Sequence, residues 1–167
     1  MKQSHNLSDA DLIEKYQKGD VNALNFLVKK WHLRFCNLAF WIVKDADLAK
    51  DIAQDSWTII IHKLKTLQEP NKFKSWAISV VNRKSIDLIR AQKREQNKLI
   101  KHFNEDKIED SLTENESSLI IQNKLLKTIE KLSVDHQMVI RLFYKENYSL
   151  KEISEILDIS IGTAKTR

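Results

Sequence analysis

The residues best suited to chemistry lie at the end of the chain, where Ser160, Gly162, Thr163, Lys165, Thr166 and Arg167 follow closely on one another. Cations and hydroxyls in such a run match phosphate oxygens and base edges. Their position depends on what precedes them. Ser149, with Glu152 three residues on, makes a capping box that predicts a short helix, Leu150 to about Leu157, stopping at Asp158. Ser160 then serves as a second N-cap for a helix running through Arg167. Two short capped helices on a three-residue turn form a helix-turn-helix, whose second helix offers its N-terminal side chains to the DNA major groove. A plain antiparallel helix pair is the alternative reading.

Two further clusters carry charge. Between Lys72 and Arg94 stand seven cations, Lys72, Lys74, Arg83, Lys84, Arg90, Lys93 and Arg94, against Asp87 alone. That balance suits a phosphate backbone, with affinity falling steeply as salt rises. Upstream, Asp51, Gln54, Asp55, Thr58 and His62 share one helix face beside Trp57, and the i, i+4 pair of carboxylates suits a basic helical partner. Solvated helix faces are the alternative in both cases. Nothing assembles into a catalytic or metal site. His5, His32, His62, His102 and His136 have no ligand spacing with one another or with Cys36, which reads as a small core residue. No glycine-rich phosphate loop and no nucleophile-base pair is present, so neither enzyme activity nor a cofactor is expected.

The elements that position these residues follow from composition. Two glycines and one proline leave few turn signals, while 42% apolar residues suffice for packed cores, so an all-α chain of two small domains is expected. The single cysteine excludes an internal disulfide. The absence of a signal-peptide core and of a bilayer-spanning apolar run leads to the expectation of a cytoplasmic protein with no membrane insertion. Ser8 and Gly19 bracket a first helix, and Asp20 opens a second with Ala23, Leu24, Leu27, Trp31, Phe35, Leu38 and Ile42 inward. Asp45 caps a third, burying Ala49, Ile52, Ala53, Trp57, Ile60, Ile61 and Leu64. Pro70 marks a loop from Lys65 to Lys72. A fourth helix, Phe73 to about Arg90, packs Phe73, Trp76, Ala77, Val80 and Val81 inward. Amphipathic helices are expected at Leu119 to Lys131 and Asp135 to Tyr144.

Residues 1–94 carry 17 Lys or Arg against 10 Asp or Glu, residues 95–117 carry 3 against 7, and residues 118–167 carry 8 against 6. The acidic stretch has no apolar periodicity and reads as a flexible linker. Domains are therefore placed at 1–92 and 118–167, joined by a linker at 93–117.

The run "YSLKEISEILDISIGTAKTR" resembles region 4 of the sigma-70 family, in its extracytoplasmic-function (ECF) group, and "LLKTIEKLSVDHQMVIRLFYKENY" resembles that region's upstream helices. "DLIEKYQKGDVNALNFLVKKW" resembles the opening helices of region 2. The resemblance implies a sigma factor that binds core RNA polymerase and directs promoter recognition, DNA opening and transcription initiation. It implies that "DLAKDIAQDSWTIIIHKL", through Asp51, Gln54, Asp55 and Trp57, docks on the largest polymerase subunit, and that the C-terminal domain docks on the second-largest. It assigns Leu67, Lys72, Lys74, Asn82, Arg83, Lys84 and Arg90 to the minus-ten element, and Ser160, Gly162, Thr163, Lys165, Thr166 and Arg167 to the minus-thirty-five element. An anti-sigma factor is the implied regulatory partner. Housekeeping sigma factors line the melting helix with exposed aromatics, whereas Phe73 and Trp76 are spaced here as core residues, implying modest melting and strict promoter choice. The recognition helix of the family extends beyond the point where this sequence stops, so minus-thirty-five contacts past its first turns are expected to be missing. The rivals are a dimeric helix-turn-helix regulator and a protein-only helical adaptor.

Overall fold

A computed structural model describes residues 7–99 and 118–167, and among these every regular element is helical. The first helix, α1 (Asp9–Gln17), starts on the Ser8 cap. The Ser8 hydroxyl accepts the Asp11 backbone N–H at 3.1 Å, and the Asp11 carboxylate accepts the Ser8 N–H at 2.9 Å. The Ser8 hydroxyl also donates to that carboxylate at 2.7 Å, and this bond, with the one from the Ser8 N–H, holds the Asp11 carboxyl below its ordinary pKa. Gly19, at φ 102°, turns the chain out of α1 in a conformation that side chains with a Cβ resist. Asp20 then caps α2 (Val21–Val43) through the Asn22 N–H, and Asp45 caps α3 (Ala46–Leu64) through those of Asp47 and Leu48.

With so few glycines, other helix ends use less suited residues. Lys44 after α2 has φ 57°, Asn147 φ 55° and Asp158 φ 56°. Asn and Asp enter this region readily because their side chains bond locally, whereas Lys44 carries a strain of roughly 1 kcal/mol. Glutamines supply further closure. Gln137 donates from Nε2 to the carbonyls of Glu130 and Leu132, satisfying acceptors that a helix end leaves orphaned.

The chain divides into two compact units. In the first, aromatic side chains from three helices meet. The Trp31 ring lies 5.8 Å from Phe35 and 5.8 Å, edge on, from Phe73, while Phe35 lies 5.0 Å from Trp57. Ile13, Leu27, Ile60 and Leu64 complete the interior. Asp9 ties α1 to α2, accepting the Trp31 indole N–H at 3.1 Å and an ion pair from Lys30 at 2.7 Å. The inward stripes match the expected ones, except that Leu24 and Ile61 are half-buried and Ser56 is buried. Ser56 enters the core because its hydroxyl bonds the Ile52 carbonyl at 2.7 Å on its own helix.

The expected loop after α3 contains one 3-10 turn, Pro70–Lys72, and leads directly into α4 (Phe73–Leu99). Two expectations for α4 are corrected. Its buried stripe is Phe73, Ala77, Ile78, Val81 and Ser85, while Trp76 and Val80 are half-exposed. Spacings of four align Phe73 with Ala77, Val81 and Ser85, which leaves Trp76 and Val80 on the flank of that stripe. The helix also runs nine residues past Arg90, into the stretch assigned to the linker. Ala91 to Leu99 has no apolar stripe, but it is composed of good helix formers with no Gly or Pro, and propensity extends the helix where burial does not. The rest of the expected linker, 100–117, lies outside the described residues, as do His5 and His102.

The helices that follow are α5 (Ser118–Glu130), α6 (Val134–Ile140), α7 (Leu150–Leu157) and α8 (Ile161–Thr166). Met138, Leu142, Tyr148, Ile153, Ile156 and Ala164 are buried along them. The helix expected from Asp135 to Tyr144 changes register midway, since Arg141–Lys145 is a single π turn. Its i+5 spacing brings Glu146 back to Arg141: the Glu146 N–H donates to the Arg141 carbonyl at 3.2 Å, and its carboxylate stands 3.5 Å from the buried guanidinium. This pairing offsets the burial that lowers the Arg141 pKa.

Candidate nucleic-acid and polymerase interfaces

The acidic face of α3 is displayed as its spacing requires. Asp51, Gln54, Asp55, Thr58 and His62 are all exposed, on the side of the helix away from Ile52, Ala53 and Ile60. Trp57 departs from the expected contact set. It is buried against Phe35, so it supports this face from behind and does not form part of it. Asp55 also touches Lys84 of α4 at 3.6 Å. Both side chains are largely solvated, so the pair is worth at most about 1 kcal/mol and exchanges readily for other partners.

The basic residues between Lys72 and Arg94 are divided between two settings. Arg83, Arg90, Lys93 and Arg94 are exposed along α4, and Arg83 pairs with the Asp158 carboxylate at 3.4 Å. Lys72 is exposed too, but it pairs with Glu69 at 2.6 Å across the 3-10 turn; the hydrogen bond and the charge of Glu69 raise its pKa, so it remains cationic. Lys74 and Leu67 are half-buried. Asn82, assigned to a base edge, is placed beneath the surface at 2% exposure, and its Oδ1 has no hydrogen-bond partner. An orphaned buried acceptor costs on the order of 1–3 kcal/mol. Phe73 is buried as expected, while Trp76 is half-buried and departs in part from the reading of α4 as a helix without surface aromatics.

In the second unit both caps form as read. Ser149 and Glu152 exchange backbone and side-chain bonds at 2.8 and 3.3 Å, and the Ser160 hydroxyl accepts the Thr163 N–H at 3.0 Å. Asp158, Ile159 and Ser160 are the turn between α7 and α8. Ser160 and Thr163 are therefore engaged in capping, with their hydroxyls 2.9 Å apart. Lys165 and Thr166 are exposed, while Arg167 pairs with Asp135 at 3.3 Å. Gly162 is exposed, and a Cβ there would meet only the Ser160 hydroxyl, at an ordinary 3.6 Å. The fold itself does not require glycine at this position.

Sequence reasoning missed Gln17, whose role depends on contacts 47 and 50 residues away, and Glu69 as the partner of Lys72. It also gave no warning that Ile121, Leu125 and Leu126 of α5 would be exposed. Cys36, expected in the core, is half-buried with its sulfur 3.7 Å from His32 Nε2, and burial pushes its thiol pKa up. Among the described residues no three potential ligands gather around a metal position, and no helix is long and apolar enough to cross a membrane.

The described residues thus present an acidic helix, a basic helix and a helix-turn-helix. Comparison with known proteins makes this specific. Residues 27–95 match the family model for sigma-70 region 2, and residues 122–167 match that for sigma-70 region 4. RNA polymerase sigma factor SigV of Bacillus subtilis is 31% identical over 80% of this chain and 76% of its own length. The ECF sigma-E factor of Escherichia coli K12 is 27% identical over 98% and 90%. Among solved structures, the sigma factor RpoE of Bartonella quintana, in complex with the anti-sigma factor NepR, superposes with a TM-score of 0.67 at 19% identity, covering 87% of this chain and 89% of its own. CnrH, in complex with the cytosolic domain of CnrY, does so at 0.65 and 19%, covering 95% and 88%. The chain belongs to the sigma-70 family, in its ECF group. It is a promoter-specific transcription initiation factor that acts through RNA polymerase.

Proposed function

We propose that the exposed carboxylates of α3, Asp51 and Asp55 with Gln54, dock this sigma factor on a basic helical surface of the largest polymerase subunit, while α4 and the loop before it capture and open the minus-ten element. The observation that carries this reading is the segregation of charge, with an acidic row on α3 and a cationic row on α4. Trp57 holds the α3 face in place from the core. Arg90, Lys93 and Arg94 neutralise phosphates together with Lys74; Lys72, Lys84 and Arg83 join them once Glu69, Asp55 and Asp158 are exchanged for DNA. Trp76 offers a ring on which an unstacked base can rest, and the unpaired Oδ1 of Asn82 is a further acceptor on the same helix. The C-terminal unit engages the second-largest subunit and sets α8 against the minus-thirty-five element. The polymerase supplies the phosphodiester chemistry, and the chain acts in the cytoplasm with no cofactor. An anti-sigma partner, like the NepR bound in the Bartonella quintana relative, would hold the factor inactive.

Phosphate contact by α4 is tested by salt titration. Replacing Lys93 and Arg94 together by Ala is expected to weaken holoenzyme binding to all promoter sequences alike, and to reduce the log-log salt slope by about two. Unchanged slope would remove these residues from the interface.

Gly162 gives a complementary test at the other unit. Glycine within a helix costs roughly 1 kcal/mol relative to alanine, yet the fold has room for the methyl group. The residue is explained by close approach of a DNA backbone. Gly162→Ala is therefore expected to raise the thermal midpoint slightly while lowering minus-thirty-five-dependent initiation. A variant as active as the parent would contradict this.

A further inference from the structure

We propose that Gln17 is the positioning residue for the loop between α3 and α4, and through it a determinant of minus-ten selectivity. The inference rests on the reading of that loop as part of the minus-ten site. The carboxamide of Gln17, the last residue of α1, donates both protons of Nε2, to the Leu64 carbonyl at 2.9 Å and to the Leu67 carbonyl at 3.0 Å. Leu64 closes α3, and its carbonyl, past the last intrahelical bonds, accepts besides Gln17 only the long 3.4 Å bond from the Leu67 N–H. Leu67 lies within the loop. One amino group thus fixes the separation between the end of α3 and the loop that leaves it.

The anchor is itself rigid. Leu12 and Ile13 bury α1 in the core, Asp9 ties it to Lys30 and Trp31 of α2, and Gly19 turns the chain away immediately afterwards. Among the described residues, the loop's remaining hydrogen bonds are local, from Thr66 to Lys63, Leu67 to Leu64 and Lys72 to Glu69. Gln17 therefore supplies the hydrogen-bonded tie between the loop and a different element. The residue precedes the segment that matches the region 2 model, which begins at residue 27.

Selectivity follows from rigidity. A loop held in one conformation leaves the polar groups of a wrong base unpaired, whereas a free loop adapts to it. Gln17→Glu is the sharpest perturbation, because it keeps the size and places carboxylate oxygens against two carbonyl oxygens. Gln17→Lys retains N–H donors at similar reach and serves as the rescue.

The test uses holoenzyme reconstituted from core polymerase and the full chain, transcribing a duplex library with a randomised minus-ten element. The same library is run with that element pre-opened by mismatches. Gln17→Glu is expected to lower the preference for favoured over disfavoured bases about tenfold on both templates, the scale of losing two neutral hydrogen bonds. Core affinity is expected to stay at the wild-type value, and Gln17→Lys to recover most of the preference. Wild-type selectivity in Gln17→Glu overturns the proposal if Leu67→Gly, which loosens the loop directly, does relax it. If Leu67→Gly also leaves selectivity intact, the loop lies outside the minus-ten site and the proposal falls with that reading. Equal losses of core affinity and of initiation on every sequence, without rescue by Gln17→Lys, would show a merely structural role.

Discussion

Asp51→Arg combined with Asp55→Arg is expected to weaken binding to core RNA polymerase by at least two orders of magnitude. Both carboxylates are exposed on one face of α3, one helical turn apart, so they present a paired negative surface. Reversing both converts attraction to a basic partner into repulsion, and charge pairs of this kind contribute on the order of 2–5 kcal/mol when they are desolvated at an interface. The fold has little at stake, because Asp55 loses only a solvated contact to Lys84 at 3.6 Å. Titration of labelled protein with sigma-free core measures the affinity, and circular dichroism confirms the helical content. Unchanged affinity would remove α3 from the docking surface.

Phe73→Ala is expected to cost about 3–5 kcal/mol of stability, the range for emptying a buried aromatic site. Phe73 is fully buried at the start of α4 and meets Trp31 edge on and Trp76 at 6.2 Å. It sets where α4 begins and hence the register of Arg83, Arg90 and Lys93 along it. A loss of this size is a large share of the stability of a small domain, so the first unit is expected to unfold at markedly lower denaturant. A midpoint within error of wild type would mean that the aromatic cluster does not hold α4.

The parts legible in the sequence were those governed by local rules. Ser8, Asp20, Asp45, Ser149 and Ser160 all cap helices, because an N-cap is decided within three or four residues of itself. The polar face of α3 was legible because five positions agree on one side of a helix. Less legible was anything settled by a distant neighbour or by competing effects. Trp76 is apolar and near the stripe, yet it sits on the flank of the Phe73, Ala77 and Val81 row and is only half-buried. Asn82 is polar on a cationic helix and is nonetheless buried. The π turn depends on Arg141 and Glu146 pairing inside the core, and the Gln17 tie on a fold that brings α1 to the end of α3. The extension of α4 past Arg90 was missed because fading periodicity reports lost burial and says nothing of helix propensity.

The most direct test of the central claim is promoter-selective transcription by sigma-free core RNA polymerase to which this protein alone has been added, on a library of randomised promoters. The account predicts that the protein joins core one to one and that transcripts arise from a restricted set of sequences sharing a minus-ten element. Failure to associate with core, together with tight binding of the isolated protein to duplex DNA, would contradict it and point to a conventional helix-turn-helix regulator.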